Sequence, residues 1–181
     1  MFNTPKFVIY SELIKANFST MELSDFQSTR NAMTAQFPND IINSERAPEP
    51  VGAYPHARRV GDMLFISGVG PRERGASSIP GVELDELGNI TSYDIEAQTL
   101  SVFRNIKYVL EDAGSCWEDI VDVTVFLTNM KSDFPMFNAL YKEYFTHVQA
   151  CRTTIEINAL PTPIAVELKV LAIVGSSHNK S

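Results

Sequence analysis

The stretch Ala165 to Val174 constrains the fold of this chain more than any other. Val166, Leu168, Val170, Ala172 and Val174 recur at every second position, the period at which the side chains of a strand share one face. That face is apolar from end to end, while Glu167, Lys169, Leu171 and Ile173 share the other. Such a strand belongs in a sheet with helices over its uniform face. On its second face Leu171 and Ile173 would be left uncovered and want a partner, so oligomerisation is expected.

The elements before it read in the same way. Ala47-Pro48-Glu49-Pro50 disfavours helix and marks a domain boundary. The expected division is an N-terminal arm over 1–46, a domain over 47–174 and a tail over 175–181. Arg58-Arg59-Val60 and Met63 to Ser67 flank a Gly61-Asp62 turn and read as a hairpin. From Gly68 to Asn89 glycine, proline and charge recur, the pattern of a surface loop. Thr91 or Ser92 is the expected cap of a helix whose Ile95, Val102, Phe103, Ile106, Val109 and Leu110 fall on one stripe and which Gly114 stops. Val121, Val123, Val125 and Leu127 predict a strand. Asp133 with Pro135 opens a second helix with an aromatic face, and Thr153 to Asn158 forms one more strand. Two helices cannot cover both faces of such a sheet. The expectation is therefore α+β, with a β-sheet carrying two main helices on one face.

Composition removes several classes of function. The chain of 181 residues has 22 Asp plus Glu against 15 Lys plus Arg and a net charge of −7, which argues against charge-driven binding to nucleic acid or to an anionic membrane. No apolar run approaches the roughly 20 residues of a membrane span. Cys116 and Cys151 form no C-x-x-C pair and are expected as buried or half-buried free thiols, and His56, His147 and His178 show no metal-ligand spacing, so no metal is expected. The first 45 residues fit neither a secretory signal nor a transit peptide, and a cytoplasmic protein is expected.

Chemistry is expected where a charge interrupts an apolar strand, because a buried charge must be paired or serve a ligand. Arg152 and Glu167 are such residues. They either neutralise each other, or Glu167 pairs with Lys169 or a partner chain, or together they form a site for a small carboxylate-bearing molecule. In that last reading the guanidinium grips the carboxylate and the carboxyl group exchanges protons. A nucleophile elbow, a Walker loop, a dinucleotide fingerprint and a zinc motif are all missing.

Pro50-Val51-Gly52-Ala53-Tyr54, Leu64-Phe65-Ile66-Ser67-Gly68, Ala113-Gly114, Thr124 to Leu127, Phe137-Asn138-Ala139-Leu140-Tyr141, Cys151-Arg152-Thr153-Thr154 and Val166-Glu167-Leu168 resemble, in order and spacing, the RidA/YjgF family of enamine and imine deaminases. Ala47 to Arg59, Ser67 to Arg72 and Asn158 to Ile164 look like its 2-aminomuconate deaminase branch. The resemblance implies a chorismate-mutase-like subunit with a mixed sheet, a homotrimer whose sheets form a central barrel, and active sites between subunits. It implies that Arg152 binds the substrate carboxylate, that Glu167 activates water, and that Tyr54, Ser67, Gly68 and Asn138 line the pocket. Thr154 stands where generic members carry Cys, so a pocket thiol and the typical 2-iminopropanoate specificity are not carried over.

The reaction so implied is hydrolysis of 2-aminomuconate, through its 2-imino tautomer, to 4-oxalocrotonate and ammonia without a cofactor. The second carboxylate of that substrate asks for another cation, Arg72 first and then Arg58, Arg59 or His56. Generic 2-imino-acid deamination, a non-catalytic metabolite-binding role on the same trimer and RNA cleavage are the alternatives, and the acidic charge speaks against the last.

Overall fold

The computed structural model describes residues 40–176. The strands are β1 (Ile41–Ile42), β2 (Ala57–Val60), β3 (Met63–Val69), β4 (Val82–Leu84), β5 (Ile90–Tyr93), β6 (Ile120–Leu127), β7 (Cys151–Glu156) and β8 (Val166–Ile173). The helices are α1 (Ile95–Asp112) and α2 (Met130–Phe145), with a short 3-10 turn at Trp117–Asp119.

The strand with one wholly apolar face and a mixed second face takes an inner position in the sheet. In a six-stranded sheet of order β1-β2-β3-β8-β6-β7, β8 pairs antiparallel with β3 and with β6. Val166, Leu168, Val170 and Ala172 are at most 2% exposed and join the core under α1 and α2. Lys169 and Ile173 are exposed on the opposite face, and Glu167 and Leu171 are half-buried there. β7 alone runs parallel to its neighbour, β6. Parallel neighbours need a crossover, and α2 provides it. The fold is α+β with a mixed sheet and both helices on one face, as expected.

Phe103 of α1 is the centre of the aromatic packing. Its ring lies 5.0 Å from that of Tyr144, 5.6 Å from Trp117, 5.7 Å from Phe145 and 6.5 Å from Phe137, centroid to centroid. Such edge and tilted contacts add to the burial energy of large rings.

Several boundaries differ from those read in the sequence. Residues 40–46, assigned to the arm, belong to the domain. Ile41 and Ile42 pair with Arg58 and Ala57, and Arg46 donates to Asp112 and Glu111 at the end of α1. The rest of the expected arm and the tail beyond Ser176 lie outside the described residues. The main-chain N–H of Gly175 and the hydroxyl of Ser176 both donate to the Asp119 carboxylate.

The stretch expected as loop contains β4 and the turn that joins it to β5 in a hairpin, closed by Asp85, whose Oδ1 accepts from the N–H groups of Leu87 and Asn89. Thr91 and Ser92 therefore lie in a strand, and Asp94 caps α1 by accepting from the N–H groups of Glu96 and Ala97. α2 begins at Met130 with Asn129 as its cap, so Pro135 stands inside it. Cys116 is half-buried but Cys151 is exposed, against expectation, and neither forms a disulfide among the described residues. Among the described residues no helix is long and apolar enough to cross a membrane, and no three His, Cys, Asp or Glu side chains group as a metal site would need.

Candidate active site

Alternation along β8 puts Glu167 on the face away from the helices. The neighbouring strand β3 shifts register between Ile66 and Val69, and Ser67 and Gly68 lie in that irregularity. A bulge of this kind bends the strand and re-aims its groups. Here it brings the Gly68 backbone against Glu167 so closely that a Cβ at position 68 would overlap the carboxyl group, at 2.9 Å from Cδ. Only glycine leaves the room that Glu167 occupies.

Glu167 faces an open cavity of about 500 Å³, whose walls include Tyr54, Arg58, Ser67, Gly68, Arg72 and Lys169. Burial raises its pKa above the ordinary glutamate range, and the positive charge of Arg72 pulls the other way. A carboxyl group so placed is suited to give and take protons nearer neutral pH. Ser67 is held by donating its hydroxyl to the Pro55 carbonyl at 2.7 Å. Arg72 is steadied by the Glu49 carbonyl, which accepts from Nη2 at 2.7 Å.

Arg152 lies elsewhere. On β7 it is opposite Val123, and Thr154 is opposite Val125, so both share the face that α2 covers. The guanidinium donates from Nη1 to Oδ1 of Asn138 at 3.0 Å and lies 4.5 Å from the ring centroid of Tyr141 and 5.7 Å from that of Phe134. Stacking on a ring leaves the planar fork free to meet a carboxylate edge-on. The hydroxyls of Thr154 and Tyr141 are buried without a hydrogen-bond partner among the described residues. Burial pushes the Tyr141 pKa up to about 12, against the opposing charge of Arg152.

One chain therefore holds two separate groups of candidate residues. Tyr54, Ser67, Gly68, Arg72 and Glu167 gather on the open face, and Arg152, Asn138 and Thr154 gather beside α2. Arg152 and Glu167 do not neutralise each other: β6 runs between their strands, and they project from opposite faces of the sheet.

Two of the candidate cations do not line the cavity at Glu167. His56 is buried, its Nδ1 accepts from the Ser44 N–H at 3.1 Å, and Nε2, which therefore carries the proton, faces the Pro48 carbonyl at 2.9 Å. Both ring nitrogens thus serve the main chain. Arg59 donates to the Gly61 carbonyl and pairs with Asp62 outside the cavity. Arg58 remains in the wall, joined by Lys169, which the sequence offers only as a partner for Glu167.

A half-buried carboxyl group in a cation-lined cavity is suited to acid–base chemistry, and an arginine stacked on rings beside α2 to holding a small carboxylate. Comparison with known proteins narrows the class: the chain belongs to the RidA/YjgF family, whose model, described as Endoribonuclease L-PSP, matches residues 44–174. A RutC family protein of Pyrococcus abyssi is 35% identical over 133 residues, covering 74% of this chain and 95% of that protein. A Dermatophagoides farinae protein named 2-iminobutanoate/2-iminopropanoate deaminase is 32% identical over 138 residues, covering 76% of this chain and 98% of that protein. Among solved structures, E. coli TdcF with bound serine is similar with a TM-score of 0.63 at 29% identity, covering 74% of this chain and 98% of that one.

Proposed function

We propose that this protein is a hydrolytic deaminase of 2-imino acids, working as a homotrimer with its active sites between subunits. The observation that carries the reading is Glu167, a half-buried carboxyl group held against a glycine backbone inside a cavity whose other ionic groups are cationic. The relative named a 2-iminobutanoate/2-iminopropanoate deaminase supports the same chemistry. Met63, Phe65 and Ile173 are 41%, 42% and 37% exposed on the open sheet face, and association of copies over that face would cover them.

Arg152 of one subunit holds the substrate carboxylate beside the reacting carbon, while Glu167 of a neighbour holds water. The water oxygen bonds to the imine carbon as the C=N electron pair moves to nitrogen, and Glu167 takes a proton from the water and returns it to that nitrogen, giving the carbinolamine. Glu167 then moves the hydroxyl proton to the amino group, the C–N bond breaks as the C=O bond forms, and ammonia leaves a 2-oxo acid. The imine carbon is already electrophilic, so positioning and proton transfer account for the catalysis.

A second, narrower reading is 2-aminomuconate as the substrate, favoured by the surplus of cations around Glu167, since Arg58, Arg72 and Lys169 all line the cavity. Ammonia release from 2-iminobutanoate generated in situ tests the broader reading. The wild type should accelerate it, and Glu167→Gln should lose about 10²–10⁴-fold, the usual contribution of a positioned acid–base group. A wild type no faster than buffer would refute the deaminase reading.

A further inference from the structure

We propose that Asn105 of α1 is a positioning residue for the deaminase site: its buried side-chain amide fixes the main chain of residues 70–72 and so keeps the Arg72 guanidinium in the cavity beside Glu167. The inference rests on the deaminase reading above and deepens it. Two kinds of buried residue point inward from α1. Val102, Phe103, Ile106, Val109 and Leu110 are apolar, while Gln98, Ser101 and Asn105, at the i, i+3, i+7 spacing of one helix face, form a buried polar row. Asn105 is 2% exposed and Ser101 is 3% exposed. Polar side chains so deep in a core need partners, because burial strips them of water.

Those partners are three successive carbonyls of the segment that follows β3. Nδ2 of Asn105 donates to the Gly70 carbonyl at 3.0 Å and to the Arg72 carbonyl at 2.7 Å, and the Ser101 hydroxyl donates to the Pro71 carbonyl between them at 2.7 Å. An amide nitrogen carries two N–H groups, so one side chain serves both of its carbonyls. Arg72 is thereby held at its main chain from α1 and at its guanidinium by the Glu49 carbonyl. The charged and titratable groups in the wall around Glu167 are Tyr54, Arg58 on β2, Arg72 and Lys169 on β8, and the charge of Arg72 opposes the effect of burial on the carboxyl group. That opposition weakens as the charges separate. Alanine at position 105 would leave the Gly70 and Arg72 carbonyls to seek water, which draws the segment, and the arginine with it, away from Glu167.

The test follows the ionisation of Glu167 directly, by carbon-13 NMR of the glutamate carboxyl groups of the full chain, with the spectrum of Glu167→Gln as the assignment. Arg72→Gln should raise the titration midpoint, and Asn105→Ala should raise it in the same direction. The double variant should show no shift beyond that of Arg72→Gln, because both changes remove one and the same effect. A wild-type midpoint in Asn105→Ala or in Arg72→Gln, or shifts that add in the double variant, would overturn the positioning role. Ser101→Ala loses one of the three bonds and keeps the amide. It takes the place of Asn105→Ala, under the same criteria, if that variant does not fold.

The kcat profile for ammonia release from 2-iminobutanoate should carry the same displacement. Asn105→Ala should lose more at acid than at alkaline pH, whereas a change that only loosens the fold lowers kcat alike at every pH, and that uniform loss would also overturn the role. The two readings fail separately. A wild type without turnover, whose Glu167 midpoint nevertheless moves in Asn105→Ala, would sink the deaminase and leave the placement of Arg72 by Asn105 standing. Turnover with an unmoved midpoint would do the opposite.

Discussion

At the scale of single residues, the site depends on opposing influences on one carboxyl group. Burial raises the pKa of Glu167 and Arg72 lowers it, and the ionised form is the one that can take a proton from water. Removing Arg72 should leave burial unopposed, raise the pKa further and reduce the ionised fraction at any pH below the new value. Arg72→Gln should therefore move the acid limb of the kcat profile upward, with a loss that is larger at acid than at alkaline pH, while Arg72→Lys should shift it less. Equal loss at every pH would show that Arg72 acts on something other than the ionisation of Glu167. Glu167 and Arg152 are legible in the sequence as charges within apolar strands. The role of His56 is not, because its partners, Ser44 and Pro48, are 12 and 8 residues away and are main-chain groups that no side-chain pattern reveals. Lys169 is seen in the sequence on the face of Glu167, but which strands flank it, and hence the cavity around it, is fixed only by the sheet order.

At the scale of elements, regular periodicity was readable and local turn chemistry was not. β6, β8 and α1 follow from their apolar spacing. The β4–β5 hairpin was hidden because its strands are short, half-exposed and interrupted by a shift in register between Glu83 and Leu84. β1 was hidden because two residues carry no period at all. Yet β1 and the turn after it bind the domain at several points. Ser44 donates through its N–H to His56 and through its hydroxyl to Asp112, and it accepts from the N–H groups of Arg46 and Ala47. Two truncations isolate this segment, one removing residues 1–39 and the other residues 1–46. The longer should melt roughly 5–10 °C below the shorter, since it loses hydrogen bonds worth about 1 kcal/mol each and leaves the ring of His56 without its Ser44 partner. Thermal unfolding followed by circular dichroism reads the difference. Equal melting temperatures would restore the boundary at residue 47 that the sequence suggested.

At the scale of the whole molecule, Arg152 and Glu167 project from opposite faces of one sheet, so under the proposed deaminase reading catalysis is a property of the assembly. A single subunit offers a carboxylate grip beside α2 and an acid–base group in the open-face cavity, with β6 between their strands, and no rotamer change carries one side chain through a hydrogen-bonded sheet to the other. If the two halves meet only across a subunit boundary, each site takes its arginine from one chain and its glutamate from the next. Arg152→Ala and Glu167→Gln should each be inactive alone, yet a mixture refolded or exchanged together should recover activity. In an equal mixture assembled at random, half of the sites receive an intact arginine, and half of those also receive an intact glutamate. Activity should then reach about a quarter of wild type, without any new residue being introduced. Size-exclusion chromatography with light scattering would establish that the mixed species are trimers, and ammonia release from 2-iminobutanoate would read the recovery. A mixture as inactive as its parents, at the same oligomeric state and after demonstrated exchange, would place both residues in one subunit's site and require a rearranged sheet edge. Recovery near a quarter would instead draw the arginine and the glutamate of each site from different subunits, the arrangement that association over the apolar face noted on β8 would give.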